Sequence, residues 1–269
     1  MNEEIFSKIL PQEHLNEYLK SGFRQDKREC GEHRPIYIEF YKVDPTLINM
    51  MLNIGGTICQ CVLKLNRVTE KIAGGRKDFF EPIKIKVKFS ERQNYGEHEF
   101  DKATFNYSLN NFVLKNYSFD KFFEKSSDME KIQLSFDLMV FTNLGNETES
   151  LWLSAMTSLY KLLSQNNLPQ MKKSNIYFPV SHQMISRKYL VIDPSKSEEE
   201  AGNSVKLFFL INLNNYNFCF VKNTGSSINI DTIKECIETT KKLIDQNFTK
   251  QYMDFIQNPE EKLLKAFFN

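Results

Sequence analysis

The chain has 269 residues, 41% of them hydrophobic, which is enough for one large domain or two moderate ones with a substantial core. Its 35 Lys and Arg residues against 34 Asp and Glu residues leave a formal charge of +1. This balance argues against a free-standing nucleic-acid-binding protein, because such proteins carry a clear basic excess. The start, MNEEIFSKIL, lacks the features of a signal peptide, and no apolar run reaches the roughly 18 residues that a membrane span needs.

The first predicted elements are a short helix and a charged segment. PQEHLNEYLKSG (11–22) places Leu15, Tyr18 and Leu19 on one helical face, with Gly22 as the stop signal. The segment GFRQDKRECGEHRP (22–35) then has seven charged residues among its fourteen and few apolar side chains. Composition alone predicts a solvated charged loop for this segment.

A block of strands follows. Strands are predicted at 36–42, 46–52 and 57–65, and the glycine pair in NIGGT (53–57) marks the turn between the last two. Cys59 and Cys61 alternate with apolar residues, which favours a strand, and no Cys/His pair completes a zinc pattern. Five cysteines, an odd number, indicate reduced thiols in a cytosolic or nuclear protein.

Residues 68–82 are polar and contain glycines, which predicts a loop. KIKVKF (84–89) then alternates strictly, so one face of a predicted strand carries three lysines and the other face is apolar. A helix is predicted at 99–117, a strand at 131–142, and a turn at Leu144-Gly145-Asn146. The apolar side of that helix comprises Phe105, Leu109, Phe112 and Val113.

The helix predicted at 149–165 is apolar nearly all round, which indicates burial on several faces and places Trp152 in the core. Strands are then predicted at 176–182, 188–192, 205–213 and 217–222. SEEEAG (197–202) is interpreted as a solvated turn. A long helix is predicted from Asp231, its expected N-cap, to about Ile256. Strands followed by helix occur twice, which predicts an internally duplicated α+β architecture.

The charged segment belongs to a series of motifs that resembles the RNase PH family, and most of all the RNase PH-like ring subunits of the eukaryotic RNA exosome. These subunits carry an R-x-D-G-R segment, a glycine–acid pair and a further arginine. In this chain Lys27 replaces the usual glycine of that segment. Three more stretches resemble the family in the same order: GGTICQCVLKL (55–65), YLVIDPSKSEEEAG (189–202) and KNTGSSINIDTIKECIETT (222–240). The matching residues of the charged segment are Arg24, Asp26, Arg28, Gly31, Glu32 and Arg34.

The resemblance implies the RNase PH-like fold (ribosomal protein S5 domain 2-like), with duplicated βα units and mixed sheets packed against helices. It divides the chain into an N-terminal helix and arginine-bearing arm, a first half, a second half and a C-terminal tail. The corresponding ranges are 1–35, 36–169, 170–259 and 260–269. The resemblance also implies that the charged side chains tie the arm to the domain and to a neighbouring subunit.

The resemblance further implies an inactive paralogue with no catalytic residue, metal or cofactor. Active relatives are phosphorolytic, and the positions that match their D-x-N motif are Val205 and Leu207, which can neither bind a metal nor relay a proton. Their arginine pair is expected near 92–109, where only Arg92 occurs, and their D-G-G turn has become 144–146. The alternative is an active phosphate-dependent 3′-to-5′ exoribonuclease with a displaced acid site. Its candidate carboxylates are Glu147, Glu149 and Glu198, Glu199 and Glu200.

As a family member, the chain is expected to be a structural subunit of a six-membered ring, with other RNase PH-like subunits, S1/KH cap proteins and a processive exoribonuclease as partners. The resemblance also implies a place in the nucleus, including the nucleolus, and in the cytoplasm. RNA in the central channel would contact basic side chains, and for the strand lysines the alternative is a solubilising sheet edge. A third interpretation is a duplicated α+β binding module unrelated to RNA. The candidate RNA contacts are Arg67, Arg76, Lys77, Lys84, Lys86 and Lys88.

Overall fold

The computed structural model describes residues 10–69, 81–90, 101–117, 130–166, 176–200, 205–257 and 264–268. In the first part of the chain the elements are α1 (Pro11–Lys20), β1 (Ile36–Asp44), β2 (Leu47–Ile54), β3 (Thr57–Thr69), β4 (Ile83–Phe89), α2 (Lys102–Asn116), β5 (Glu130–Thr142) and α3 (Glu147–Gln165). In the second part they are β6 (Tyr177–Ile185), β7 (Tyr189–Ile192), α4 (Lys196–Glu200), β8 (Val205–Asn212), β9 (Phe218–Thr224), α5 (Ile230–Leu243), α6 (Gln246–Gln257) and β10 (Leu264–Phe267).

Two sheets organise the fold. The larger sheet has the strand order β10-β1-β2-β3-β5-β4, and the smaller has the order β7-β6-β8-β9. All neighbouring strands are antiparallel except β4 and β5, which run parallel, so the larger sheet is mixed. Strand β10 comes from the segment 260–269 and extends the larger sheet beside β1.

Helix α3 is the centre of the molecule. It packs on four strands of the larger sheet, on β6 of the smaller sheet and on α6, and its residues 149–163 are buried. Trp152 lies among four aromatic rings, those of Phe105, Phe112, Phe208 and Phe220. The predictions of a helix buried on several faces and of a core tryptophan are confirmed.

The strand predicted at Cys59 and Cys61, the alternation of β4 and the apolar face of α2 are also confirmed. Cys59 and Cys61 are buried in β3, and all five cysteines of the chain lie in the described residues without a disulfide. The apolar positions predicted for α2 are its buried face, and β4 alternates as predicted. None of the helices in the described part of the chain combines the length and the hydrophobicity that a membrane span requires.

The long C-terminal helix is a misprediction. Residues 230–257 form two helices, because Ile244 leaves the helical conformation and the Asp245 carboxylate accepts the Phe248 N–H at 2.7 Å, as an N-cap does. Asp231 is not the cap of α5. The Asn229 side chain accepts the Thr232 N–H at 2.7 Å and so begins the helix two residues earlier. Both residue types suit an N-cap, so composition did not decide between them.

Candidate functional site: a buried charge network beside a polar pocket

The charged segment 22–35 is a compact turn that packs into the protein. The Arg24 N–H donates to the Arg28 carbonyl at 2.8 Å, and an isolated β-bridge joins Phe23 to Glu29. Lys27 lies at the tip of this turn with φ +71°, in the left-handed region that glycine adopts without cost. This backbone conformation accounts for the glycine that the resembling family carries at the position of Lys27.

Arg24 is buried and pairs with Glu198 in α4. Its Nε donates to Glu198 Oε1 at 2.8 Å and its Nη2 to Oε2 at 2.5 Å, so the pair is bidentate. The other guanidinium hydrogens reach backbone carbonyls of Ile192 at 2.7 Å and Asp193 at 2.8 Å. Arg24 therefore crosses between the arm and the end of β7 with its donors satisfied.

Asp193, directly after β7, is the centre of the network. Arg34 donates to its two carboxylate oxygens from Nε and Nη2, each at 2.7 Å, and from its backbone N–H at 2.9 Å. Arg28 Nη1 lies 3.1 Å away and Asn146 Nδ2 lies 2.7 Å away. Burial would raise the pKa of Asp193, but the charges of His33, Arg34 and Arg28 outweigh it and hold the pKa far below its usual range.

His33 pairs with Glu149 in the first turn of α3. Its Nδ1 lies 2.6 Å from the Arg34 carbonyl and its Nε2 lies 2.7 Å from Glu149 Oε1. A carbonyl and a carboxylate only accept hydrogen bonds, so both ring nitrogens donate and the ring is an imidazolium. Burial would lower the pKa of His33, but Asp193 and Glu149 raise it above its ordinary value. The other Glu149 oxygen accepts from Asn146 and from the Ser181 N–H.

The network is balanced in charge. Its positive groups are Arg24, Arg28, His33 and Arg34, and its negative groups are Asp26, Glu149, Asp193 and Glu198. All except Asp26 are buried, and Asp26 reaches Arg28 from the surface. The interpretation of 22–35 as a solvated loop is wrong. In the described part of SEEEAG, residues 197–200 belong to α4 and Glu198 is 1% exposed, so these residues are not a solvated turn either. Glu149 and Glu198 are occupied by these pairs and unavailable to an acid site.

A small pocket of about 70 Å³ lies beside the network, at the first turn of α3 and the start of β8. Val205 and Leu207 belong to β8, are both 2% exposed and have no polar atom to offer. The polar groups that line the pocket include Thr148, Glu199, Lys206, Lys222 and His182.

Two groups near the pocket have shifted protonation. His182 is buried, and burial lowers its pKa to about 3, so the ring is neutral. Burial, with Glu199 nearby, raises the pKa of Glu147 to about 7, and its buried Oε1 has no hydrogen-bond partner among the described residues. Lys206 pairs with Glu199 at 3.1 Å. In the described part of the chain, no three His, Cys, Asp or Glu residues come together as a metal site.

Comparison with solved structures identifies the architecture. No family model matches the chain, and no curated protein matches it. The chain is similar to a subunit of an archaeal exosome core, with a TM-score of 0.64 and 15% identity over 96% of this chain and 100% of that chain. It is also similar to a subunit of the Archaeoglobus fulgidus exosome with RNA bound to the active site (TM-score 0.66, 14% identity, 93% and 99%) and to rice (Oryza sativa) Rrp46 (0.59, 14%, 87% and 98%).

The chain has the RNase PH-like fold. The predicted α+β class with mixed sheets packed against helices is thereby confirmed. At identities of 14–15% the likeness shows the fold alone, so what these proteins do is not carried over to this chain by the comparison.

Within the RNase PH-like fold, the candidate RNA contacts do not form one group. Lys84, Lys86 and Lys88 are exposed on one face of β4, at the edge of the larger sheet. Arg67 is exposed near the end of β3 but shares the alternation of the buried Leu63, so it belongs to the opposite face. Arg76, Lys77 and Arg92 lie outside the described residues.

Sequence reasoning missed His33, Asp193 and Asn146 as members of the network. Asp193 stands only within the stretch YLVIDPSKSEEEAG that resembles the family, and no local pattern in the sequence marks His33. One signal was available in the sequence. Asp193 and Glu198 lie in one motif, and Arg24 and Arg34 lie in another. Two motifs of opposite charge in a duplicated fold are candidates for contact. The sequence separations of 159 and 174 residues hid the pairing.

Proposed function

We propose that the chain is a non-catalytic subunit of a six-membered RNase PH-like ring in an exosome core. In this role it would support 3′-to-5′ RNA processing and degradation, including that of ribosomal RNA, by an associated nuclease and would help to form the channel for RNA. The observation that carries the proposal is that two acidic side chains near the pocket are already paired and another is replaced by an apolar residue. Asp193 and Glu149 are neutralised by the arm, and Val205 and Leu207 are apolar where active relatives carry their D-x-N motif.

The finer assignment is to the ring subunit type called exosome component eight. It is supported by the helix that precedes the arginine-bearing arm, here α1, and by the sequence IDPSKSEEE (192–200). This role implies other ring subunits, S1/KH cap proteins and a processive exoribonuclease as partners. It also implies nuclear, nucleolar and cytoplasmic location, which imaging of a fluorescently tagged chain would test.

A second candidate, an active phosphate-dependent exoribonuclease, is favoured by one observation. Glu147 has a pKa raised to about 7 and a carboxylate oxygen with no partner in the described part of the chain, and Glu199 and Lys206 lie near it. A carboxylic acid that titrates near neutral pH is suited to general acid–base catalysis. Of the carboxylates proposed for the acid site, the arm engages Glu149 and Glu198 and leaves Glu147, Glu199 and Glu200.

Two measurements on the full chain separate these functions. The purified chain is incubated with a single-stranded RNA with and without inorganic phosphate, and nucleoside diphosphate release is followed by mass spectrometry. We expect no release. Release that requires phosphate and is lost in Glu147→Gln would establish the second candidate.

A tagged chain is then purified at moderate salt, and we expect other RNase PH-like proteins in stoichiometric amounts. Recovery of the chain alone would contradict the ring.

A further inference from the structure

In the part of the chain that the structure describes, one edge of strand β4 is free of any paired strand. Among the strands of the described residues, only β5 pairs with β4. At the two ends of the pair, the Leu134 N–H donates to the Pro82 carbonyl and the Ser90 N–H donates to the Val140 carbonyl, both at 2.9 Å. The even-numbered backbone groups of β4 therefore face β5. Since successive residues of a strand point their N–H and C=O groups to opposite sides, the odd-numbered groups face away from the sheet.

An open cleft of about 250 Å³ runs beside this edge. Ile83 and Ile85 of β4 line one side, and the α2 residues Asn106, Tyr107 and Asn110 line the other. The Asn110 amide already donates to the outward-facing Ile83 carbonyl, at 3.4 Å. Asn106 Oδ1 is buried with no partner among the described atoms. The cleft thus presents apolar side chains together with amide and backbone groups that match a peptide backbone.

The face of β4 opposite the cleft carries positive charge, whereas Glu81 is the one acid among the described residues that line the cleft. Lys84, Lys86 and Lys88 recur at every second residue on the face opposite Ile83 and Ile85, and no ion pair joins them to another described residue. The nearest acid in register is Asp137, opposite Lys86, and it pairs with Lys64 at 3.6 Å. A strand laid along the edge would place every second side chain beside these lysines.

We propose that the free edge of β4 binds an extended acidic peptide segment of a protein partner by β-strand addition. The partner's backbone pairs with the odd-numbered groups of β4, its acidic side chains face the three lysines, and its apolar side chains lie toward the cleft. A second copy of this chain is disfavoured, because β4 against β4 brings lysine against lysine. RNA would satisfy the lysines but not the outward N–H and C=O groups or the amides of the cleft.

The test uses the full chain and synthetic eight-residue peptides, with binding followed by fluorescence anisotropy. (Glu-Val)4 is compared with (Lys-Val)4 and with EEEEVVVV, which has the same composition without alternation. We expect binding of (Glu-Val)4 only. The variant K84E/K86E/K88E should weaken this binding roughly tenfold or more, because like charges then face each other. The control K234E/K241E/K242E changes the net charge equally on exposed positions of α5 and should leave binding unchanged.

Two further peptides test the backbone pairing on the unaltered protein, so the result does not depend on how any variant folds. One is (Glu-Val)4 N-methylated on its glutamates and the other is N-methylated on its valines. Only one of these sets of N–H groups can face β4, so we expect one peptide to lose binding and the other to keep it. An equal effect of the two methylations overturns the proposal. Tighter binding of an eight-nucleotide oligouridine, lost in the same lysine variant, also overturns it in favour of an RNA-binding stripe.

Discussion

Two charge-rich segments of this chain differ in how far their basic side chains are buried. The arm at 22–35 buries Arg24, Arg28 and Arg34, whereas β4 leaves its three lysines exposed. Neither segment can neutralise all of its charged side chains with its own residues. The difference lies in what faces them, because acids from α3, α4 and the end of β7 meet the arm, while β4 meets one half-exposed aspartate that already has a partner.

The residue types reinforce this difference. A guanidinium offers five donors in a planar fork, so Arg24 satisfies a carboxylate and two backbone carbonyls at once. A lysine is a compact, strongly hydrated charge that gains little from burial unless it is fully surrounded. The arm therefore joins distant parts of the fold, and the lysines keep a sheet edge in water.

Asp193→Asn should destabilise the buried network of the arm more than any other single change considered. The change keeps the shape but removes the charge that Arg28, Arg34 and His33 share. We expect a loss of about 3–5 kcal/mol in the free energy of unfolding, because those charges stay buried without compensation. Urea denaturation followed by the fluorescence of Trp152, the only tryptophan, measures it. The control Asp137→Asn, at a half-exposed pair, should cost less than about 1 kcal/mol. Similar costs for the two variants would contradict the network.

A double-mutant cycle on Arg24 and Glu198 separates the pair from its surroundings. Arg24→Met and Glu198→Leu each strand one buried charge, so each single change should be strongly destabilising. The double variant strands neither, and its loss should fall short of the sum by about 1–3 kcal/mol. Lys20 and Glu17 form an exposed pair at 2.6 Å, and the same cycle there should be additive within about 0.5 kcal/mol. Additivity at Arg24 and Glu198 would mean that the pair is incidental.

These long-range pairs also mark the limit of what the sequence could predict. The alternation of β4 and the apolar face of α2 are local patterns with periods of two and 3.6 residues, and they were predicted correctly. The pairing of Arg24 with Glu198 depends on which strand ends meet in the folded chain. Local propensity carries no such information. The prediction of one long helix from Asp231 was wrong for another reason. Asn229, Asp231 and Asp245 are all residue types that suit an N-cap, and only the backbone geometry decides which of them begins a helix.

The pH dependence of stability distinguishes the two buried histidines. His33 has a raised pKa, so its contribution is complete below the unfolded value of about 6.5 and is lost as pH rises through the folded pKa. The free energy of unfolding should fall above pH 6.5 by about 1.4 kcal/mol for each unit by which the pKa is raised. His33→Gln should remove this fall. Asp193 and Arg34 also face the ring, but the pKa of Asp193 is held far below this range and that of Arg34 is raised above its ordinary value of 12.5.

His182 should change the free energy of unfolding with pH in the opposite direction, so it serves as an internal control. Its pKa is lowered to about 3, so its contribution is present above pH 6.5 and is lost as pH falls. His182→Asn should therefore flatten the acid side of the stability profile and leave the alkaline side unchanged. If His33→Gln left the alkaline side unchanged as well, the ring would not be an imidazolium in the folded protein.

Removing the charge of the three exposed lysines of β4 should hardly change stability. We expect the variant K84Q/K86Q/K88Q to keep the free energy of unfolding within about 0.5 kcal/mol, because the lysines have no described partner whose loss would strand a charge. Its solubility should fall, since an uncharged free edge is open to pairing with other copies, and light scattering against protein concentration measures this. K234Q/K241Q/K242Q removes the same charge from α5, where there is no sheet edge. Self-association of both variants would assign the effect to net charge, and self-association of the β4 variant alone would assign it to the edge.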